Sequence, residues 1–214
     1  DVYKRQLHSR VDATRTLVGA LNKLSRKPAV LVSASAVGYY GDRGDEIVAE
    51  NCGIGQGFLP EVCLAWETHA EGAARHGIRT VLLRFGMILS PEGGALARML
   101  PLFRLGLGGR LGSGRQWMSW IALDDAIGVI HHALCAEDLD GAVNAVAPEP
   151  VTNRLFMRSL GRVCHRPAVL PLPAVVVDTM FGEMGRATLL ASQRVLPARL
   201  LGRGFPFRHP DLSE

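Results

Sequence analysis

Beyond Tyr40 the chain has no tyrosine and beyond Lys27 no lysine, although it runs to 214 residues. Two side chains often used to carry protons are therefore confined to its opening part. Cysteine is also sparse. Cys52, Cys63, Cys135 and Cys164 lie far apart with no Cys-x-x-Cys, and His131 and His132 are adjacent, so they point to different sides of any helix. This argues against a disulfide framework and against a metal site, and predicts reduced, mostly buried thiols. No apolar run reaches the roughly 18 residues that a membrane span needs. The best stretch, 170–177, is broken by Pro171 and Pro173, and no charged n-region with an apolar h-region opens the chain. The expectation is a cytoplasmic protein with no membrane partner. Net charge is +4, but the basic residues form no run: Arg98, Arg104, Arg110, Arg154 and Arg158 stand singly, with no aromatic motif between them. That predicts a solvated surface and no nucleic-acid partner.

What is present is an ordinary globular composition, 48% hydrophobic and 21% charged. Residues 1–6 carry no apolar period and correspond to the back-translation of a sequencing-library adaptor. They are expected to be a scar, with the natural chain extending further upstream. From Arg10 to Leu24, Val11, Leu17, Val18, Leu21 and Leu24 trace one helical face that Lys27-Pro28 ends. Ala29–Ser33 is a short apolar run, the pattern of a strand buried on both faces of a parallel sheet. Leu59, Val62, Cys63, Trp66, Ala70 and Ala73 mark a second helix, closed near Arg75 by His76-Gly77. Arg79–Phe85 reads as a second buried strand. Helix, strand, helix, strand with short connections predicts an α/β fold, a doubly wound parallel sheet in which these two strands are neighbours.

The part after Gly93 is looser. It offers a helix over Gly94–Leu105, a glycine-rich loop over Gly106–Gly114, and a helix beginning near Asp124 and capped by Asp124 or Asp125. A strand over Val143–Val146, a helix over Asn153–Cys164 and a helical tail over Phe181–Leu201 complete it.

Four segments carry chemical information: Val30–Gly41, Leu83–Leu89, Gly112–Asp125 and Asn144–Asn153. Ligands of an open α/β sheet sit beyond the carboxyl ends of its strands. Ser33 and Ser35 would then face a cofactor crevice; alternatively, small residues there merely let the chain turn. Taken in order and spacing, the four segments resemble the atypical "epimerase family protein" group of the extended short-chain dehydrogenase/reductase superfamily. The tail segments Phe181–Met184, Gln193–Pro197 and Gly204–Phe207 resemble the small C-terminal domain DUF1731 carried by that group.

The resemblance implies the C-terminal part of a Rossmann-type fold. The first strands and the glycine-rich phosphate loop would lie upstream, with a partial cofactor domain over 7–93, a substrate-side lobe over 94–164 and a DUF1731-like domain over 165–214. It implies a nicotinamide cofactor, NADP ahead of NAD, and an unidentified small-molecule substrate. Arg10, in the pair Ser9-Arg10, takes the place of a family arginine that contacts the cofactor. Ser33, Arg84, Gly86, Met87 and Ile88 are the other cofactor-binding candidates, and Ser35 takes the position of the family's catalytic serine. One departure matters for mechanism. The family's Tyr-x-x-x-Lys acid/base pair falls on Leu59 and Cys63, with Glu67 at a position where glutamate is common. Tyr39 and Tyr40 are the remaining catalytic candidates, either as proton carriers or as rings packed over the crevice. The segment Gly112-x-Gly114-x-Gln116 is intact, but Met118 stands where enzymes acting on sugar nucleotides have an arginine that clamps the diphosphate. Two readings follow: an oxidoreductase or epimerase-like enzyme with unusual acid/base groups, and a non-catalytic protein that binds or senses NADP(H).

Overall fold

The computed structural model describes residues 2–175, 179 and 186–212, except for the side chains of 2–8 and 186. Three parallel strands form its centre: β1 (Val30–Ala36), β3 (Arg79–Phe85) and β7 (Gly141–Ala145), in the order β1-β3-β7. Strands β1 and β3 are neighbours in parallel register, with Val30 opposite Arg79 and Ala36 opposite Phe85. The serines do not end β1, which runs on through Ser35 because these small side chains pack beneath a helix.

Helices cover both faces of this sheet. On one face lie α1 (Val2–Asn22) and, between β1 and β3 in the chain, α2 (Phe58–Glu71). The second helix is shorter than its apolar period suggested: it ends before Gly72, and Ala74–His76 form a separate 3₁₀ turn. Val18, Ala73 and Ile78, with Leu21 and Leu31, make the core between this helical layer and the sheet. On the other face lies α4 (Leu123–Cys135), whose Ala126, Val129 and Ala133 pack against Val81, Leu83, Val143 and Ala145. Arg79 reaches from β3 to the carbonyls of Ala133 and Leu134 and so closes the end of α4.

Neither Asp124 nor Asp125 caps α4. The residue at the cap position is Ala122 and makes no side-chain cap bond. Asp125 is buried instead, and its carboxylate accepts the backbone N–H groups of Arg208 and His209 at 2.8 and 2.9 Å. Gly128, one turn on, leaves room for the Phe205 ring: an added Cβ would lie 3.3 Å from it. This helix is thus the docking rail for the C-terminal segment.

The smaller lobe holds α3 (Gly94–Arg104) and α5 (Asn153–Val163) around Phe103, Trp120, Val151, Phe156, Met157 and Leu160. Short strands tie it to the sheet: β4 (Met87–Leu89) pairs with β6 (Trp120–Ala122), and β5 (Trp117–Met118) pairs with β8 (Val151–Thr152). The tail is not a continuous helix. Phe181–Met184 lie outside the described residues, β9 (Arg194–Val195) is extended, and only α6 (Ala198–Gly202) is α-helical beyond it. Strand β9 pairs in parallel with β2 (Ile47–Val48), which brings the end of the chain beside its first loop.

Candidate cofactor and active site

Strand residues alternate between the two faces of the sheet. On β1, Val30 and Val32 join the α4 core, which leaves Leu31, Ser33 and Ser35 on the α2 face. The parallel register then places Ser35, Arg84 and Asn144 in one row across β1, β3 and β7, on that same face. All three are buried.

Burying so much polarity costs free energy unless every group finds a partner. Here the partners form one chain of hydrogen bonds. Ser35 Oγ donates to Glu67 Oε1 at 2.6 Å. Arg84 grips both carboxylate oxygens of Glu67, from Nε and Nη2, each at 2.8 Å. Its Nη1 donates to the Tyr40 hydroxyl at 2.9 Å, and that hydroxyl donates to Asn144 Oδ1 at 2.8 Å. Asn144 Nδ2 continues to the carbonyl of Leu196, and its backbone N–H donates to Glu50 Oε1. Burial alone disfavours the Arg84 charge, but Glu67 and Tyr40 outweigh it and hold the guanidinium protonated beyond its usual range. Burial also raises the Tyr40 hydroxyl above an ordinary phenol, against the pull of Arg84.

Tyr39 is placed differently. It is half-buried, and its ring lies 3.5 Å from the Arg84 guanidinium carbon and edge-on to Tyr40. Among the described residues its hydroxyl makes no hydrogen bond, whereas that of Tyr40 makes two.

The other candidates separate. Ser33 lies two residues before Ser35 on the same face, buried, with its hydroxyl on the Ala34 carbonyl. Gly86 follows β3 where an added Cβ would lie 2.5 Å from the Ser119 carbonyl, so only glycine fits there. Met87 and Ile88 are taken up by the β4–β6 pairing: Met87 packs into the small-lobe core and Ile88 into the α4 core. Both lie on β4, which leaves the sheet to join the smaller lobe. Arg84 itself is closed over by Glu67 and Tyr40. Arg10, on α1, lies 5.4 Å from the Trp66 ring of α2. Trp120 donates to the Glu149 carbonyl and Trp117 to Asp45, while Met118 packs in the small-lobe core.

Leu59 and Cys63 flank Gly38 just beyond β1, both within van der Waals range of a Cβ built there. Burial, reinforced by Glu67, pushes the Cys63 thiol up to about 11. A cavity of about 200 Å³ opens beside them, lined by Gly38, Gly41, Leu59 and Pro60 and closed by Ala191 and Gln193 of the tail. Gln193 Nε2 donates to the Gly41 carbonyl. The sequence reading missed Asn144. The available signal was a lone amide inside the otherwise apolar run Gly141–Val146.

A parallel sheet with helices on both faces, crossed by the row Ser35, Arg84 and Asn144, is the architecture of a Rossmann-type protein. Comparison with known proteins narrows this. The model of the domain of unknown function DUF1731 matches residues 172–214. An epimerase family protein of Mycobacterium bovis is 46% identical over 99% of this chain and 70% of its own length. The human epimerase family protein SDR39U1 (isoform 2), solved with NADPH, superposes with a TM-score of 0.90 at 36% identity, over 96% of this chain and 70% of that one. A nucleoside-diphosphate sugar epimerase from Corynebacterium glutamicum superposes with a TM-score of 0.81 at 36% identity, over 99% of this chain and 42% of that one. The chain belongs to the epimerase family. No helix among the described residues is long and apolar enough to cross a membrane.

Proposed function

We propose that this chain carries the reacting end of a nicotinamide-dependent oxidoreductase or epimerase-like enzyme acting on a small molecule, with Tyr39 as proton carrier. One observation carries the reading: Tyr39 stands at the carboxyl end of β1 with its ring on the Arg84 cation and its hydroxyl uncommitted among the described residues. Ser35 and Tyr40 hold Glu67 and Arg84 in place, and thereby the Tyr39 ring. They act as positioning residues.

The residues present fit a planar cofactor ring. Ala34 is exposed on β1 and Gly86 follows β3, so small residues stand near the carboxyl ends of both strands. Ala34 and Gly86 would leave room for that ring, and Arg10 would hold a more distant part of the cofactor. NADP is favoured over NAD because the human relative was solved with NADPH. When bound, the cofactor supplies hydride exchange; this chain supplies the proton and a site closed by the tail. A non-catalytic NADP(H)-binding role is the second reading. It is supported by Leu59, which cannot exchange a proton, and by Cys63, which stays a neutral thiol near pH 7.

The test compares Tyr39→Phe with Tyr40→Phe in a protein of the relatives' full length, by NADPH titration and by turnover on a panel of alcohols and carbonyls. NADPH binding should survive both changes. Turnover should fall about 10²–10⁴-fold in Tyr39→Phe, the usual effect of losing a general acid/base. Unchanged turnover in Tyr39→Phe removes Tyr39 from the reaction, and binding without turnover in the parent establishes the second reading.

A further inference from the structure

The stretches 93–123 and 150–177 contain eight arginines, no lysine and no acidic residue. They carry +8, so the rest of a chain of net charge +4 carries −4. Spaced singly in sequence, these arginines looked like ordinary solvated charges. Folding gathers them on the smaller lobe, where none of them forms a salt bridge among the described residues.

Two loops of this lobe run side by side, one following α3 and one following α5. The N–H of Leu170 donates to the Gly108 carbonyl at 3.2 Å and that of Leu172 to the Arg110 carbonyl at 2.9 Å. Arg166 Nε donates to the Arg104 carbonyl at 3.2 Å, which joins the bases of the two loops. Their apolar side chains point outward: Leu105 is 71% exposed, Leu107 54% and Val169 69%. Exposed leucine and valine tips, beside arginines that face no carboxylate among the described residues, are costly in water unless something covers them. The aromatic residues of the lobe do not serve as a stacking platform, because Phe103, Trp120 and Phe156 are buried. A polynucleotide would use the arginines and leave the leucines without a role.

We infer that these paired loops dock on an anionic lipid bilayer. The aliphatic tips enter the boundary between headgroups and acyl chains while Arg104, Arg110 and Arg166 bind phosphate-bearing headgroups, which the guanidinium fork matches. The absence of a spanning run excludes only passage through the membrane; docking from one side needs none.

The experiment is co-sedimentation of the full chain with vesicles of phosphatidylcholine, with and without phosphatidylserine, at low and high salt. Binding should require phosphatidylserine and weaken with salt. Arg104→Gln with Arg166→Gln should reduce it about 30-fold, from the usual contribution of two basic residues near an anionic surface. Leu105→Ser with Leu107→Ser should reduce it comparably at unchanged charge. Both pairs are exposed, and an unchanged melting curve checks that each variant folds. No sedimentation with phosphatidylserine vesicles at low salt overturns the proposal. So does binding that the leucine pair leaves intact, or tighter binding to a duplex DNA or single-stranded RNA oligonucleotide than to the vesicles.

Discussion

The two faces of the central sheet are made by the same three strands, yet they are built on opposite principles. Toward α4 the packed row is apolar: Val81, Leu83, Val143 and Ala145 meet Ala126, Val129 and Ala133, and Arg79 reaches only the end of the helix. Toward α2 the equivalent row is Ser35, Arg84 and Asn144, held together by Glu67 and Tyr40. The apolar face tolerates small errors of position, because dispersion and the hydrophobic effect are not directional. The polar face does not, because each hydrogen bond must be made or its desolvation cost remains. Geometric exactness is therefore concentrated on the face that holds the polar row.

Adjacent residues of β3 allow this contrast to be measured. Arg84→Met should cost about 3–5 kcal/mol, since it strands the buried Glu67 carboxylate. Denaturant melts would check this, and a loss below about 1 kcal/mol would mean that the pair is already solvated. Adding Glu67→Leu to Arg84→Met should recover much of that loss, because two apolar groups leave no stranded charge. Leu83→Ala, one residue away but on the other face, should cost about 3 kcal/mol through its cavity, with no partner change able to rescue it. If a partner change rescued Leu83→Ala, the two faces would not differ in kind. Tyr40→Phe should cost about 1–2 kcal/mol, because it removes one hydroxyl and leaves Asn144 Oδ1 and Arg84 Nη1 each short of a partner.

The last effect is a pH dependence, confined to alkaline solution. The folded Cys63 thiol titrates at about 11, above an unfolded thiol near 8.5. Its contribution to stability is complete below roughly pH 8.5 and is lost as pH rises toward 11, because the unfolded chain then gives up its proton first. Melting temperature should fall across that window in the parent and fall less in Cys63→Ala. An identical slope in both would show that the thiol is not buried as described.

The two faces were not equally legible in the sequence. The apolar one was, because period and burial are local: Arg79–Phe85 announced itself as a strand, and its pairing with β1 followed from the alternation of helices and strands. The polar row could only be half seen. Ser35, Tyr40 and Arg84 stood out one by one, but their partnership depends on register between strands far apart in the chain. Nothing near Asn144 points to Tyr40, 104 positions earlier. Asp125 misled for a related reason. At the start of a helix an aspartate reads as a cap, and only the folded chain shows it holding Arg208 and His209. The departure of Met87 and Ile88 from the central sheet was likewise invisible, since β4 follows β3 after Gly86 alone and differs in its partner.

The pairing of β9 with β2 has a consequence for the order of synthesis. Ser119 accepts the N–H of Val195 and Asn144 donates to the Leu196 carbonyl, so the tail completes a network begun more than 150 residues earlier, at Ser35. A chain emerging from the ribosome amino end first has its central strands and helices long before it has these last partners. Until Leu196 is free of the exit tunnel, the Asn144 amide has no carbonyl to meet and the cavity beside Leu59 has no far wall. The site is thus withheld from half-made molecules, and proteolytic loss of the tail would return a finished molecule to that state.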